Sequence, residues 1–138
     1  MRFLLALLVA VSVFAACDSS GDDPEFEITF RDNDGEFVAT LRFPEPTVLD
    51  CDALDCNEAD WRLTEGDARN AITFDRTRGT LRATQRDDGW YLDFSPPEVS
   101  DSGALAEISV DGDRVTGTWS QITIGGPMPR GTVTGTFR

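Results

Sequence analysis

From residue 25 onward, apolar and polar residues take turns along the chain. Phe26, Ile28 and Phe30 fall on one side, and Glu25, Glu27, Thr29 and Arg31 on the other. That is the period of a half-buried β-strand, whose successive side chains point to opposite faces. After Asp32-Asn33-Asp34-Gly35, Phe37, Ala39, Leu41 and Phe43 share a face. An Asp-Gly pair between two alternating runs predicts a hairpin. Pro44-Glu45-Pro46 ends its second strand, because proline removes a ladder donor.

Residues 47–70 are the least regular. A short strand is expected at Asp60-Trp61-Arg62-Leu63-Thr64, and one helical turn over Asn57 to Asp60 with Asn57 as its cap. Alternation then returns through Ile72 and Phe74, Leu81 and Ala83, and, after a turn at Asp88-Gly89, through Trp90, Leu92 and Phe94. A loop over 95–103 precedes Ala106, Ile108 and Val110, and Asp111-Gly112-Asp113 turns the chain again.

The last third contains an echo. Val115-Thr116-Gly117-Thr118-Trp119 matches Val133-Thr134-Gly135-Thr136-Phe137. In each, valine, glycine and the aromatic share one face and the threonines share the other. A glycine inside a strand marks a bend or a close approach, and two at matching places predict strands curling around a tight interior. The expected fold is all-β: an antiparallel up-and-down meander of about eight strands, closed into a small β-barrel, with a two-sheet β-sandwich as the alternative. The Gly-Thr-Trp and Gly-Thr-Phe segments loosely resemble those of lipocalin-like and avidin-like barrels. That resemblance covers under a fifth of the chain and carries no binding residue with it.

Composition narrows the chemistry. The chain has 138 residues, 25 acidic and 12 basic, and a formal net charge of −13. Every basic residue is arginine, and histidine is absent. Nucleic acid is not an expected partner, since phosphate binding needs a cationic footprint. Without histidine there is no Ser-His pair, and without lysine no Schiff base. Carboxylates are spread along the chain with no pair standing out, so no enzyme is expected. A lysine-free acidic surface also resembles that of proteins from salt-loving or high-GC organisms, where salt screens self-repulsion.

The N-terminus supplies an address. Arg2 gives a positive start, Phe3–Phe14 form an apolar run broken only by Ser12, and Ala15 and Ala16 are small. This is the layout of a signal peptide over 1–16, too short for a stable membrane span. Phe14-Ala15-Ala16-Cys17 resembles the lipobox of bacterial lipoproteins, with Phe where leucine is commonest. The resemblance implies a diacylglyceryl group on the Cys17 thiol and a second acylation of the new amino terminus. Two signals give stable anchoring where one gives marginal binding. Residues 17–25 then form the lipidated cysteine and an acidic tether, and 26–138 a single barrel domain. The expected location is the cell envelope. Asp18 resembles an inner-membrane retention signal of some Gram-negative bacteria. The acidic run resembles a surface-export signal of others, and the outer membrane or cell surface is favoured.

Cys51 and Cys56 remain, and an oxidising compartment makes them a disulfide. Closing so short a loop contributes about 2 kcal/mol. Zinc would lack ligands there unless carboxylates completed the set. Asp50, Asp52, Asp55, Glu58 and Asp60 could hold Ca²⁺, as could Asp32-Asn33-Asp34-Gly35-Glu36, but a solvated loop and a turn are expected. No metal or cofactor is expected beyond the lipid on Cys17.

Two surfaces could carry a function. Trp90 and Trp119, on inward faces, could line a cavity for a small apolar or amphipathic ligand. Arg78, Arg82 and Arg86, with Arg69 and Arg76 nearby, could form an outer patch for an envelope partner. The expectation is a monomeric, non-catalytic envelope lipoprotein that binds a small ligand in its barrel, with an interaction module using the arginine surface as the alternative.

Overall fold

Nine β-strands form among the described residues: β1 (Glu25–Asp32), β2 (Phe37–Pro44), β3 (Thr47–Val48), β4 (Asn57–Gly66), β5 (Arg78–Arg86), β6 (Gly89–Asp93), β7 (Gly103–Asp111), β8 (Arg114–Thr123) and β9 (Gly126–Phe137). The computed structural model describes residues 23–48, 57–67, 77–95 and 103–138. Cys17, Cys51, Cys56, Arg69, Arg76, Ile72, Phe74 and the acids at 50, 52 and 55 lie outside them, as do the signal peptide and most of the tether.

The order β2-β1-β9-β8-β7-β6-β5-β4 closes on itself through β2–β4, and every pairing is antiparallel. This is a closed, eight-stranded, up-and-down β-barrel, with the two-residue β3 attached to β4. The sandwich alternative falls away, because closure leaves the barrel no open sheet edge. Leu41 faces Ile28 on one side and Leu63 on the other, and so links β1 and β4 across β2, while the first and last strands of the meander, β1 and β9, pair along their length.

Closure demands stagger and coiling. Gly117 and Gly135 show how β8 and β9 meet that demand. A Cβ on Gly117 would run into the backbone carbonyl of Glu107 on β7, and one on Gly135 into that of Glu27 on β1. Both strands therefore approach their neighbours more closely than any side-chain-bearing residue allows.

Two local expectations are corrected. Asn57–Asp60 is not a helical turn: it opens the ten-residue β4, pairing with β5 from Asn57↔Ala83 to Arg62↔Arg78. Period-two burial of Asn57, Ala59 and Trp61 outweighs a weak capping signal. Phe37 does not join the inward face of Ala39, Leu41 and Phe43. A register shift after Phe30 sets Phe37 opposite the outward Arg31, and its side chain is 39% exposed. A bulge of this kind moves a side chain to the other face. The β5–β6 turn also falls one residue early, on Asp87-Asp88, with Gly89 already in β6.

Strand polarity defines two barrel ends. The proximal end holds the start of β1, the end of β9 and the turns at 87–88 and 112–113. There the Glu25 amide donates to the Arg138 carbonyl at 2.6 Å, and the Arg138 amide returns a bond at 3.1 Å. The distal end holds the turns after β1 and β8 and the long connections after β4 and β6. In the first of these, Gly35 has φ +82°, and the Asp32 carboxylate accepts from the amides of Asp34 (3.0 Å) and Glu36 (2.9 Å). That carboxylate serves the turn, which suits the turn reading of this segment over a calcium loop.

Candidate functional site

The interior is occupied by its own rings. Phe94 is the hub, with its ring 5.8 Å from Phe30, 6.3 Å from Phe43 and 6.4 Å from Trp61, all edge-on. Toward the proximal end, Phe26 stacks on Phe43 at 5.1 Å and tilts against Phe137 at 4.4 Å. Edge-to-face and offset geometries are the favourable ones for aromatic pairs. Ile28, Leu41, Leu81, Leu92, Val115 and Val133 fill the space around them.

Trp119 belongs to this packing. Its ring meets Phe30 edge-on at 5.6 Å, and its indole N–H donates to the Arg31 carbonyl at 2.8 Å. Trp61 lies equally deep, 4% exposed, yet its Nε1 has no hydrogen-bond partner among the described residues. Ser95 Oγ, next along the chain from Phe94, is likewise buried and unpartnered. A buried unsatisfied polar atom costs about 1–3 kcal/mol, so these two atoms are the unusual feature of the interior. Sequence gives no sign of either unpaired atom. Nothing in the local pattern marks Trp61 as differing from Trp119, since satisfaction depends on which carbonyl lies across the barrel.

On the outside, alternation along β5 points Arg78, Arg82 and Arg86 to solvent, opposite buried Leu81 and Ala83. They are not equivalent. Arg82 bonds the Asp93 carboxylate on β6 at 2.7 Å. Arg86 places its guanidinium 5.4 Å from the centre of the Tyr91 ring. Arg78 sits directly opposite Arg62 and has no ion-pair partner among the described residues. Arg62 turns instead to Glu25 at 2.8 Å, and Arg42 pairs with Glu27. Burial, with Asp93 and Glu107 nearby, pushes the Tyr91 hydroxyl above its usual range, against the opposing pull of Arg86.

One outer groove of about 570 Å³ brings two of the predicted residues together. Arg86 and Trp90 both line it, with Asp87, Asp88, Glu107 and Ser109 among their neighbours. Asp88 accepts from the Ser109 hydroxyl at 3.1 Å, which fixes the rim between β6 and β7. Trp119, Arg78 and Arg82 lie elsewhere. The groove offers one guanidinium, three carboxylates and an aromatic edge. Such a set can hydrogen-bond and pack against a polar partner.

No protein-family model, curated protein or solved structure matches this chain.

Proposed function

We propose that this chain is a non-catalytic lipoprotein of the cell envelope, anchored through Cys17, whose barrel works through its outer surface. The carrying observation is that Phe94 and its neighbours fill the described interior, to which Trp90 belongs, while Arg86, Asp88 and Glu107 line a groove on the outside that only the edge of Trp90 reaches. The lipobox-like Phe14-Ala15-Ala16-Cys17 supports the anchor. The tether would leave from the proximal end, where Glu25 is tied to Arg138, so that the distal turns face away from the membrane. Mass spectrometry of protein from its native cells tests the anchor: a diacylated Cys17 is expected, and a free thiol overturns it. A photo-crosslinking residue at position 86 tests the surface. A discrete envelope adduct is expected that is lost when the groove carboxylates Asp88 and Glu107 become Asn and Gln; no adduct counts against it.

A second reading places a small apolar or amphipathic ligand in the distal mouth. It is favoured by the orphaned Trp61 Nε1 and Ser95 Oγ, both of which would gain from a ligand carrying an acceptor. Organic extraction of natively purified protein decides it. A stoichiometric co-purifying molecule supports that reading, and an empty extract removes it.

A further inference from the structure

Three arginines lie side by side on the outer surface. Arg42 on β2 is directly opposite Arg62 on β4, and Arg62 is directly opposite Arg78 on β5. Like charges facing each other across strands destabilise a sheet. In a chain with 25 acids and 12 basic residues, this row is a local concentration of positive charge. Two carboxylates from β1 offset part of it. Glu27 pairs with Arg42, while Glu25 bonds Arg62 at 2.8 Å and comes within 3.9 Å of Arg42.

A groove of about 580 Å³ opens here at the proximal end. Arg42, Arg62, Glu25 and Glu27 line it, joined by Asp23 and Arg138. Three guanidiniums and three carboxylates thus share the groove, whereas the whole chain carries a net charge of −13. The first four are engaged with one another. Asp23 and Arg138 are exposed, and neither side chain has an ion-pair or hydrogen-bond partner among the described residues. The groove therefore keeps one anion and one cation in reserve, beside guanidinium edges of Arg62 that Glu25 does not cover. A ligand that matches it carries both signs: an anionic group for the arginines and an ammonium for the carboxylates.

We propose that this groove binds the phosphoethanolamine headgroup of a membrane lipid. A guanidinium fork matches the oxygens of a phosphate. In that headgroup an ammonium stands two carbons from the phosphate and offers three N–H donors to carboxylates. Distance points to a lipid as the source. Asp23 lies six residues after Cys17, and six extended residues reach about 20 Å at most. An acylated Cys17 keeps the groove within that reach of a dense layer of lipid phosphates, so even a millimolar site is occupied. Net charge points to the headgroup. A chain of net charge −13 is repelled by an anionic membrane surface but not by a zwitterionic one. The proposal rests on the anchored reading above. It docks the proximal end on the membrane and leaves the distal turns accessible.

Nuclear magnetic resonance on the secreted chain carrying Cys17→Ser tests the site without the lipid anchor, so the site and the anchored reading can fail separately. The probe is glycerophosphoethanolamine, the headgroup without its acyl chains, with inorganic phosphate and ethanolamine titrated alongside. The guanidinium N–H signals of Arg42, Arg62 and Arg138 are expected to shift saturably with the headgroup, about tenfold more tightly than with either part alone. Arg62→Gln should weaken binding by about tenfold, and Arg31→Gln, at the distal end of β1, should leave it unchanged. The amide spectrum of each variant reports whether the barrel is folded. Phosphate that binds as tightly as the headgroup, equal losses in the two variants, or no saturable shift overturns the site. A second arm tests the source. The same chain, with a hexahistidine tag ahead of residue 17, is held on phosphatidylcholine vesicles by a nickel-chelating lipid; choline has no N–H to donate. Including phosphatidylethanolamine should slow amide exchange at the start of β1 and the end of β9. Equal exchange with and without it overturns the membrane as the source.

Discussion

The two ends of the barrel are built on opposite plans. The proximal end carries turns of two residues, at 87–88 and 112–113, beside the connection from β2 to β4, and is plugged by the stacked rings of Phe26, Phe43 and Phe137. The distal end carries the connections after β4 and β6 and, besides its buried rings Phe30, Phe94 and Trp119, shows apolar groups outside. Phe37, Ile124 and Met128, the three exposed large hydrophobic residues among those described, are all there. The orphaned Trp61 Nε1 and Ser95 Oγ lie in or beside that half of the interior. Tight turns and ring packing yield stability, whereas long connections on a rigid scaffold are where binding residues concentrate. The difference separates the work of holding the barrel closed from the work of presenting a surface.

The largest effect is expected where the wall itself is tightest. Gly135→Ala would drive a methyl into the Glu27 carbonyl on β1, a backbone atom that cannot step aside without opening the β9–β1 seam. That seam closes the meander, so the variant is expected to lose most of its stability, by about 3 kcal/mol or more. Chemical denaturation measures the loss. A fully stable Gly135→Ala would mean that the seam is looser than described.

Next comes the ring hub. Phe94→Ala removes edge-on contacts to Phe30, Phe43 and Trp61 at once and should cost about 3–5 kcal/mol. A loss below about 1 kcal/mol in a denaturant titration would reveal space around Phe94 that the packing does not suggest. It would also strengthen the case for a ligand in the distal half.

Two conservative changes sharpen the contrast between satisfied and unsatisfied groups. Trp119→Phe deletes the donor to the Arg31 carbonyl and leaves that carbonyl short of a partner, a cost of about 1–3 kcal/mol. Trp61→Phe deletes an N–H without a partner among the described residues and relieves its desolvation, so its expected cost is much smaller, with only the lost ring area to set against the relief. Thermal melts of the two variants side by side make the comparison. Equal losses would show that Trp61 Nε1 has a partner after all.

Much of this architecture was legible in sequence, because alternation is a local signal with a direct physical cause. The inward sets Phe26-Ile28-Phe30 and Trp90-Leu92-Phe94 follow from period two alone. So does the outward run of Arg78, Arg82 and Arg86. The glycines of the Val-Thr-Gly-Thr echo pointed to curling strands because only a close approach justifies a mid-strand glycine. Phe37 was misplaced because a bulge depends on how two strands meet, and a single strand's pattern carries no trace of it. The groove shared by Trp90 and Arg86 was hidden for a related reason. Its lining comes from β5 to β8, and the register between strands, not the order along any one, brings those residues together.

The smallest effect is expected at the distal tip. Ile124 is 92% exposed at the β8–β9 turn, and no charged residue lies between Arg114 and Arg130. The strand beyond the turn carries Pro127 and Pro129, which lack the N–H groups that an added strand would need. The tip is therefore guarded against edge pairing while its side chain stays bare. Ile124→Ser removes a side chain that gains almost nothing from folding, so the unfolding free energy should change by no more than about 0.5 kcal/mol. If the same variant lowered the yield of the crosslinked envelope adduct while leaving the melt unchanged, the distal end would be part of the working surface. An unchanged melt with an unchanged adduct would confine that surface to the groove beside Arg86. A lower melting temperature would show instead that the tip is packed, and the division between the two ends would be less sharp than the exposures imply.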